Sequence, residues 1–198
     1  MHYKILGQLT EPRLAELRSV VDYTTPDKAK RHLWDYMPNL EPLIWDILGP
    51  QHLELMDVNG KPSIKLFYTQ PGRWSPIHKD GLQNLSALNI CLDANPKDWV
   101  RWWNDEVAQR QGMVSQTVAD PANERHSRVI EHGPITKIGG WVDEFRPSAG
   151  CVYVLDSDTY HAYYSSGPEV RRVIQLKFKG WPSVDRLLSV LKPELFRL

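Results

Sequence analysis

The 198-residue chain is short of several things, and each shortage excludes a class of protein. Neither charge sign is in surplus: 24 Lys and Arg balance 24 Asp and Glu. Bulk charge therefore excludes a strongly basic nucleic-acid binder, though it leaves room for a local basic patch. No apolar run approaches the roughly 18 residues that a membrane-spanning helix needs. The best run, residues 42–48, is broken by Asp46. The first residues, Met1-His2-Tyr3-Lys4, hold no apolar stretch of signal-peptide length, so a cytoplasmic location is expected. There are two cysteines, Cys91 and Cys151, both inside apolar segments. They read as small buried thiols rather than a disulfide framework. Internal repeats and low-complexity tracts are absent. What remains, 41% hydrophobic and 24% charged residues, can build the core of one folded domain.

The pattern changes along the chain. The first fifty residues read as helical: Thr10 can cap a helix through Val21 with Leu14, Leu17 and Val21 on one face. Thr25-Pro26 is a second start signal, Gly49-Pro50 a stop, and the run Lys28 to Arg31 a solvated helix face. Residues 53–58 and 63–69 flank Asn59-Gly60, which predicts a hairpin. Short strand-like runs follow at 86–92, 100–103, 128–130, 134–138, 151–155 and 170–178, separated by turn residues. A helix opened by Ser183 closes the chain. Many short strands without alternating helices predict a mainly β protein, an antiparallel sandwich or barrel with helices packed outside. Residues 104–127 have few large apolar groups and read as a long loop, a candidate lid.

Chemistry concentrates at Ser75-Pro76-Ile77-His78-Lys79-Asp80-Gly81. In an extended segment His78 and Asp80 point to the same face and can converge on one ion. Alone the spacing is weak, since seven His and fourteen Asp give about half a chance match. A second histidine, His161, follows the strand-like run at 151–155, and eleven residues later comes Arg172. Two imidazoles and one carboxylate form the facial triad of non-haem iron oxygenases. A fixed guanidinium can hold a dicarboxylate bidentately.

With those residues in place, the stretch from Ser63 to Phe178 resembles the 2-oxoglutarate and Fe(II)-dependent dioxygenases. The likeness is to the small phytanoyl-CoA hydroxylase-like and prolyl-hydroxylase-like members. His78, Asp80, His161 and Arg172 stand where that family has His-x-Asp, a distal His, and an Arg or Lys about ten residues on. The stretch from Gly150 to His161 is similar to its seventh core strand, and residues 87–90 to the strand after the first ligands. The resemblance implies a double-stranded β-helix (a jelly-roll, cupin-like barrel, core about 51–180) with helical flanks at 10–49 and 183–197. It further implies Fe(II), 2-oxoglutarate and O2, with succinate and CO2 released as a substrate is hydroxylated. Tyr68 stands where relatives place a tyrosine that hydrogen-bonds the cosubstrate; a core aromatic is the other reading. Asn89 is expected to point into the barrel, toward cosubstrate or backbone.

Alternation on the last strand separates Arg172, Ile174, Leu176 and Phe178 from Arg171, Val173, Gln175 and Lys177. The more apolar set, with Arg172 at its head, is expected inside the barrel, leaving Arg171 in solvent. Adjacent Trp102 and Trp103 face opposite sides of a strand, one toward the core and the other toward a cleft as a substrate wall, with plain core packing as the other reading; His126 and His132 are expected on the surface. A cupin-type isomerase or hydrolase, or a binding module without chemistry, stays open as an alternative. The substrate is expected to be a small molecule or amino-acid-like; nucleic acid is not indicated.

Overall fold

The chain opens with a strand rather than a helix. The structure, a computed structural model, describes residues 1–21, 32–75, 77–80, 85–110, 115–120, 125–130, 139–178 and 182–198. Its elements begin with β1 (Tyr3–Gln8), α1 (Glu11–Val21), β2 (His32–Tyr36), α2 (Glu41–Leu48), α3 (Gln51–Asn59) and β3 (Pro62–Thr69). Then come β4 (Ile77–Lys79), β5 (Ser86–Cys91), β6 (Trp99–Trp103), α4 (Asp105–Arg110), β7 (Ser115–Asp120) and β8 (Arg125–Ile130). The last are β9 (Asp143–Phe145), β10 (Cys151–Asp156), β11 (Tyr160–Tyr164), β12 (Arg171–Phe178) and α5 (Val184–Val190).

The strands form two six-stranded antiparallel sheets, ordered β1-β10-β5-β12-β3-β2 and β7-β8-β4-β11-β6-β9. Three layers of apolar side chains hold them. Leu14, Leu17, Ile44, Ile47, Leu55 and Leu187 of the helices pack on Leu66, Leu88, Val152, Val154, Ile174 and Leu176 of the first sheet. Between the sheets lie Cys91, Val100, Trp102, Phe145, Cys151, Tyr153, Leu155 and Val173. A third cluster, Ile77, Trp99, Trp103, Tyr160 and Ala162, uses the other face of the second sheet. Each fully buried Leu or Ile in these layers is worth about 1.5–3 kcal/mol in transfer free energy.

Several expectations stand and several do not. α1 buries Leu14, Leu17 and Val21, and α2 stops at Gly49 with φ 65°. Ser183 opens α5 by accepting a hydrogen bond from the Arg186 amide at 3.2 Å. The hairpin centred on Asn59-Gly60 is absent: residues 51–59 form α3. Gly60, at φ 74°, ends that helix and donates its amide to the Met56 carbonyl at 2.8 Å. A glycine with positive φ serves a helix end as readily as a hairpin, and Leu, Glu and Met upstream favour the helix. The helical reading of the first fifty residues missed β1 and β2, both edge strands of the first sheet. Trp102 and Trp103 do not divide between core and cleft. Both are fully buried, because this sheet is covered on both faces. The 104–127 stretch is not a plain loop: it holds α4 and most of a β7–β8 hairpin that pairs with β4. The start signal at Thr25-Pro26, the run at 28–31, the strand at 134–138 and His132 fall outside the described residues, as does the side chain of His126. Among the described residues, no helix is long and apolar enough to cross a membrane.

Candidate metal centre and anion pocket

The first histidine rides on β4, a strand of three residues stitched between β8 and β11. Alternation buries Ile77 in the outer aromatic layer and turns His78 inward. On β11 the same alternation buries Tyr160 and Ala162 outside and turns His161 and Tyr163 inward. His78 and His161 are direct cross-strand partners, with ring centroids 4.5 Å apart. Asp80 lies just past β4, its amide donating to the Ser157 carbonyl at 3.0 Å. Its Oδ1 is 3.3 Å from His78 Nε2, and its Oδ2 is ion-paired with Lys177. One ligand atom from each of His78, Asp80 and His161 can be chosen so that all lie within 4.8 Å of one another.

The electrostatics suit a cation. Burial alone would raise the Asp80 carboxyl, but Lys177, His78 and His161 outweigh it and hold the group well below its usual range. Burial, aided by His78, drives His161 down to about 4, so its imidazole is neutral near pH 7. His161 Nδ1 lies 2.9 Å from the Thr159 carbonyl. A neutral ring there must donate from Nδ1, which leaves the Nε2 lone pair free to ligate. Thr159 is itself anchored: its hydroxyl donates to Asp156 Oδ2 at 2.7 Å, in a turn where Asp156 Oδ1 accepts the Asp158 amide at 2.9 Å.

A cavity of about 280 Å³ opens between the sheets. His78, Asp80 and His161 line it, together with Phe67, Tyr153, Tyr163, Arg171 and Gln175. Arg171 is 4% exposed, its guanidinium 5.5 Å from the Tyr163 ring centroid, and its Nε has no hydrogen-bond partner. A buried guanidinium with a spare donor is costly unless an anion completes it.

Scanned against family models and against curated proteins, the sequence has no match. Solved structures do match. HygX from Streptomyces hygroscopicus, crystallised with nickel, 2-oxoglutarate and hygromycin B bound, aligns at TM-score 0.56 and 11% identity, over 90% of this chain and 82% of that one. The viral collagen prolyl hydroxylase vCPH from Paramecium Bursaria Chlorella virus-1, in its 2OG complex, aligns at TM-score 0.51 and 13% identity, over 90% and 96%. SnoK, the non-heme alpha ketoglutarate dependent carbocyclase from nogalamycin biosynthesis, aligns at 0.51 and 17%, over 97% and 87%. The chain has the fold of the 2-oxoglutarate oxygenases.

Within this oxygenase fold, a double-stranded β-helix, His78, Asp80 and His161 come together across β4 and β11. Asn89 also reaches the cavity, where its Oδ1 accepts from Gln175 Nε2 at 3.1 Å and its Nδ2 donates to the Ala87 carbonyl at 3.3 Å. Arg172 and Tyr68 do not. They are register partners on the helix-facing side of the first sheet, so the inward placement expected of Arg172 is corrected, and of the two readings of Tyr68 the structure supports the core aromatic. Arg172 is ion-paired with Asp93, and Arg171 and Phe67 take the cavity positions instead. The cause is general to a sheet roofed by helices. Its more apolar face goes to the helices, and its more polar face lines the interior. Arg171, Gln175 and Lys177 form that polar face in the sequence, and the helix cover over Ile174 and Leu176 is what turns it inward. The Thr159 carbonyl left no side-chain signal.

Proposed function

We propose that this chain is an Fe(II)- and 2-oxoglutarate-dependent oxygenase acting on a small molecule. One observation carries the reading: a triad of two imidazoles and a carboxylate shares one cavity with a buried guanidinium whose Nε is unpartnered. The residues present fit the group. His78, Asp80 and His161 would hold the metal, a donor set of the facial-triad type that leaves sites open. When bound there, iron with 2-oxoglutarate and O2 supplies oxidative decarboxylation to succinate and CO2 and the insertion of oxygen into a substrate.

The chain's own part is positioning and exclusion. Arg171 pairs with the distal carboxylate of the cosubstrate and fixes its direction. The Thr159 carbonyl keeps His161 in the ligating tautomer. Phe67, Val100, Leu155 and Val173 line the cavity with apolar surface, which keeps water away from the reacting groups. β8 lies directly beside β4, pairing with it through residues 128–130, and so borders the site on that side. Among the described residues the metal cluster has three members, which favours open coordination over the fuller protein shell of a cupin-type isomerase.

The test is succinate release from 2-oxoglutarate by anaerobically loaded protein on admitting oxygen, with and without candidate small molecules. Turnover that needs both Fe(II) and 2-oxoglutarate is the expected result. Metal binding with no 2-oxoglutarate consumption under any condition would overturn it.

A further inference from the structure

Asp80 divides its two carboxylate oxygens between different partners. Oδ1 faces His78 Nε2 at 3.3 Å, on the side of the imidazole pair, while Oδ2 is taken by the Lys177 ammonium. Lys177 comes from the inward face of β12, and the two side chains are only 10% and 17% exposed. A lysine in that position loses hydration that only a close anion restores. The Asp80 backbone is already pinned by its amide to Ser157. The last torsion of the carboxylate is broad for this side chain, so its orientation is set by what the two oxygens contact.

We propose that Lys177 is a positioning residue for the metal-binding carboxylate. By holding Oδ2 it presents Oδ1 as the single oxygen offered to a divalent cation beside His78 and His161, and keeps the carboxylate from turning to chelate with both. This deepens the metal reading given above and rests on it. A second account has the opposite sign: the ammonium merely occupies the carboxylate, competing with the metal. Under positioning, removing the lysine weakens metal binding. Under competition, removal strengthens it.

The experiment is Mn(II) titration of metal-free protein, followed by the loss of free Mn(II) signal in electron paramagnetic resonance. The variants are Lys177→Met, Lys177→Gln and Lys177→Arg. Positioning predicts about 10–100-fold weaker Mn(II) binding in Lys177→Met, the usual cost of deleting a partner of a metal ligand. Lys177→Arg, which keeps the cation, recovers most of the affinity. The visible spectrum of bound Co(II) changes in Lys177→Met and stays near wild type in Lys177→Arg. If Lys177→Met gives no cooperative melt, the same order is read from Lys177→Gln against Lys177→Arg. Lys177→Met or Lys177→Gln protein that binds Mn(II) as tightly as wild type, or more tightly, overturns the positioning role while leaving the triad intact. A wild-type protein that binds no Mn(II) overturns the metal reading itself, a separate outcome.

Discussion

Arg171 and Arg172 are chain neighbours that lie on opposite faces of one sheet. Arg171 lines the cavity, with its Nε unpartnered. Arg172 lies on the helix side, where it is ion-paired with Asp93, its Nη2 reaching the second carboxylate oxygen at 3.3 Å. The pair therefore separates an anion-binding role from a structural one by a single step along the chain. Arg171→Ala is expected to raise the KM for 2-oxoglutarate about thirtyfold or more, as the loss of a charged hydrogen-bonding partner worth about 2 kcal/mol implies. Arg172→Ala should leave that KM near wild type and cost about 1–2 kcal/mol in urea unfolding. Part of the loss is offset because Arg18 still lies 3.2 Å from Asp93. A KM effect at Arg172 and none at Arg171 would reverse the assignment.

Replacing any one of His78, Asp80 or His161 by Ala should abolish stoichiometric Mn(II) binding, measured by isothermal titration calorimetry. The metal-free variants should still melt cooperatively, because the apolar layers above and below the triad do not depend on it. Full metal uptake by any of the three variants would contradict the ligand set.

The two thiols are expected to be inert in the native state. Burial pushes Cys91 up to about 12 and Cys151 up to about 11, from an ordinary value of 9.0. The reactive thiolate is thereby depleted about a thousandfold and a hundredfold, one decade per unit. Iodoacetamide at pH 8 should label both only on unfolding, as followed by mass spectrometry. The same shifts set a sign for stability. The unfolded chain loses these protons first, so their contribution is complete below about pH 9 and lost as pH rises through 11–12. Rapid labelling of the folded protein would contradict this.

Two glycines separate backbone strain from steric clash. Gly49 and Gly72 have nearly the same φ, 65° and 68°. A Cβ on Gly49 would sit 2.5 Å from the Leu195 carbonyl oxygen, whereas one on Gly72 meets nothing within 4 Å. Gly72→Ala should cost about 1 kcal/mol, the conformational term alone, and Gly49→Ala clearly more. Equal losses in denaturant unfolding would show that the Leu195 segment yields.

Much of the site was legible because metal ligands need rare residue types at fixed spacing. His78 and Asp80 declare themselves by the period of a strand, and His161 by following a strong apolar run. Asn89 turns inward because its bulky neighbours Leu88 and Ile90 face the helices. The same rule holds on β12, where Ile174 and Leu176 face the helices and Arg171 faces the cavity. Alternation fixes which residues share a face, but only tertiary cover decides which face is inside. The edge strand β1 escaped because its side chains alternate weakly against a half-exposed setting, with Ile5 left half exposed. The hairpin at Asn59-Gly60 failed because positive φ marks a chain reversal without saying which element it ends.

The inversion of the barrel wall bears on autonomy. In this fold the helices are not ornaments on a self-sufficient core: Leu14, Leu17, Ile44 and Leu187 are the other half of the largest apolar layer. An excised fragment starting at β3 would lose both edge strands and bare a sheet face built from Leu66, Leu88, Val154, Ile174 and Leu176. Such a slab self-associates in water. The smallest unit able to fold alone, and so the smallest that selection or an engineer can move between hosts, has to carry its helical roof with it.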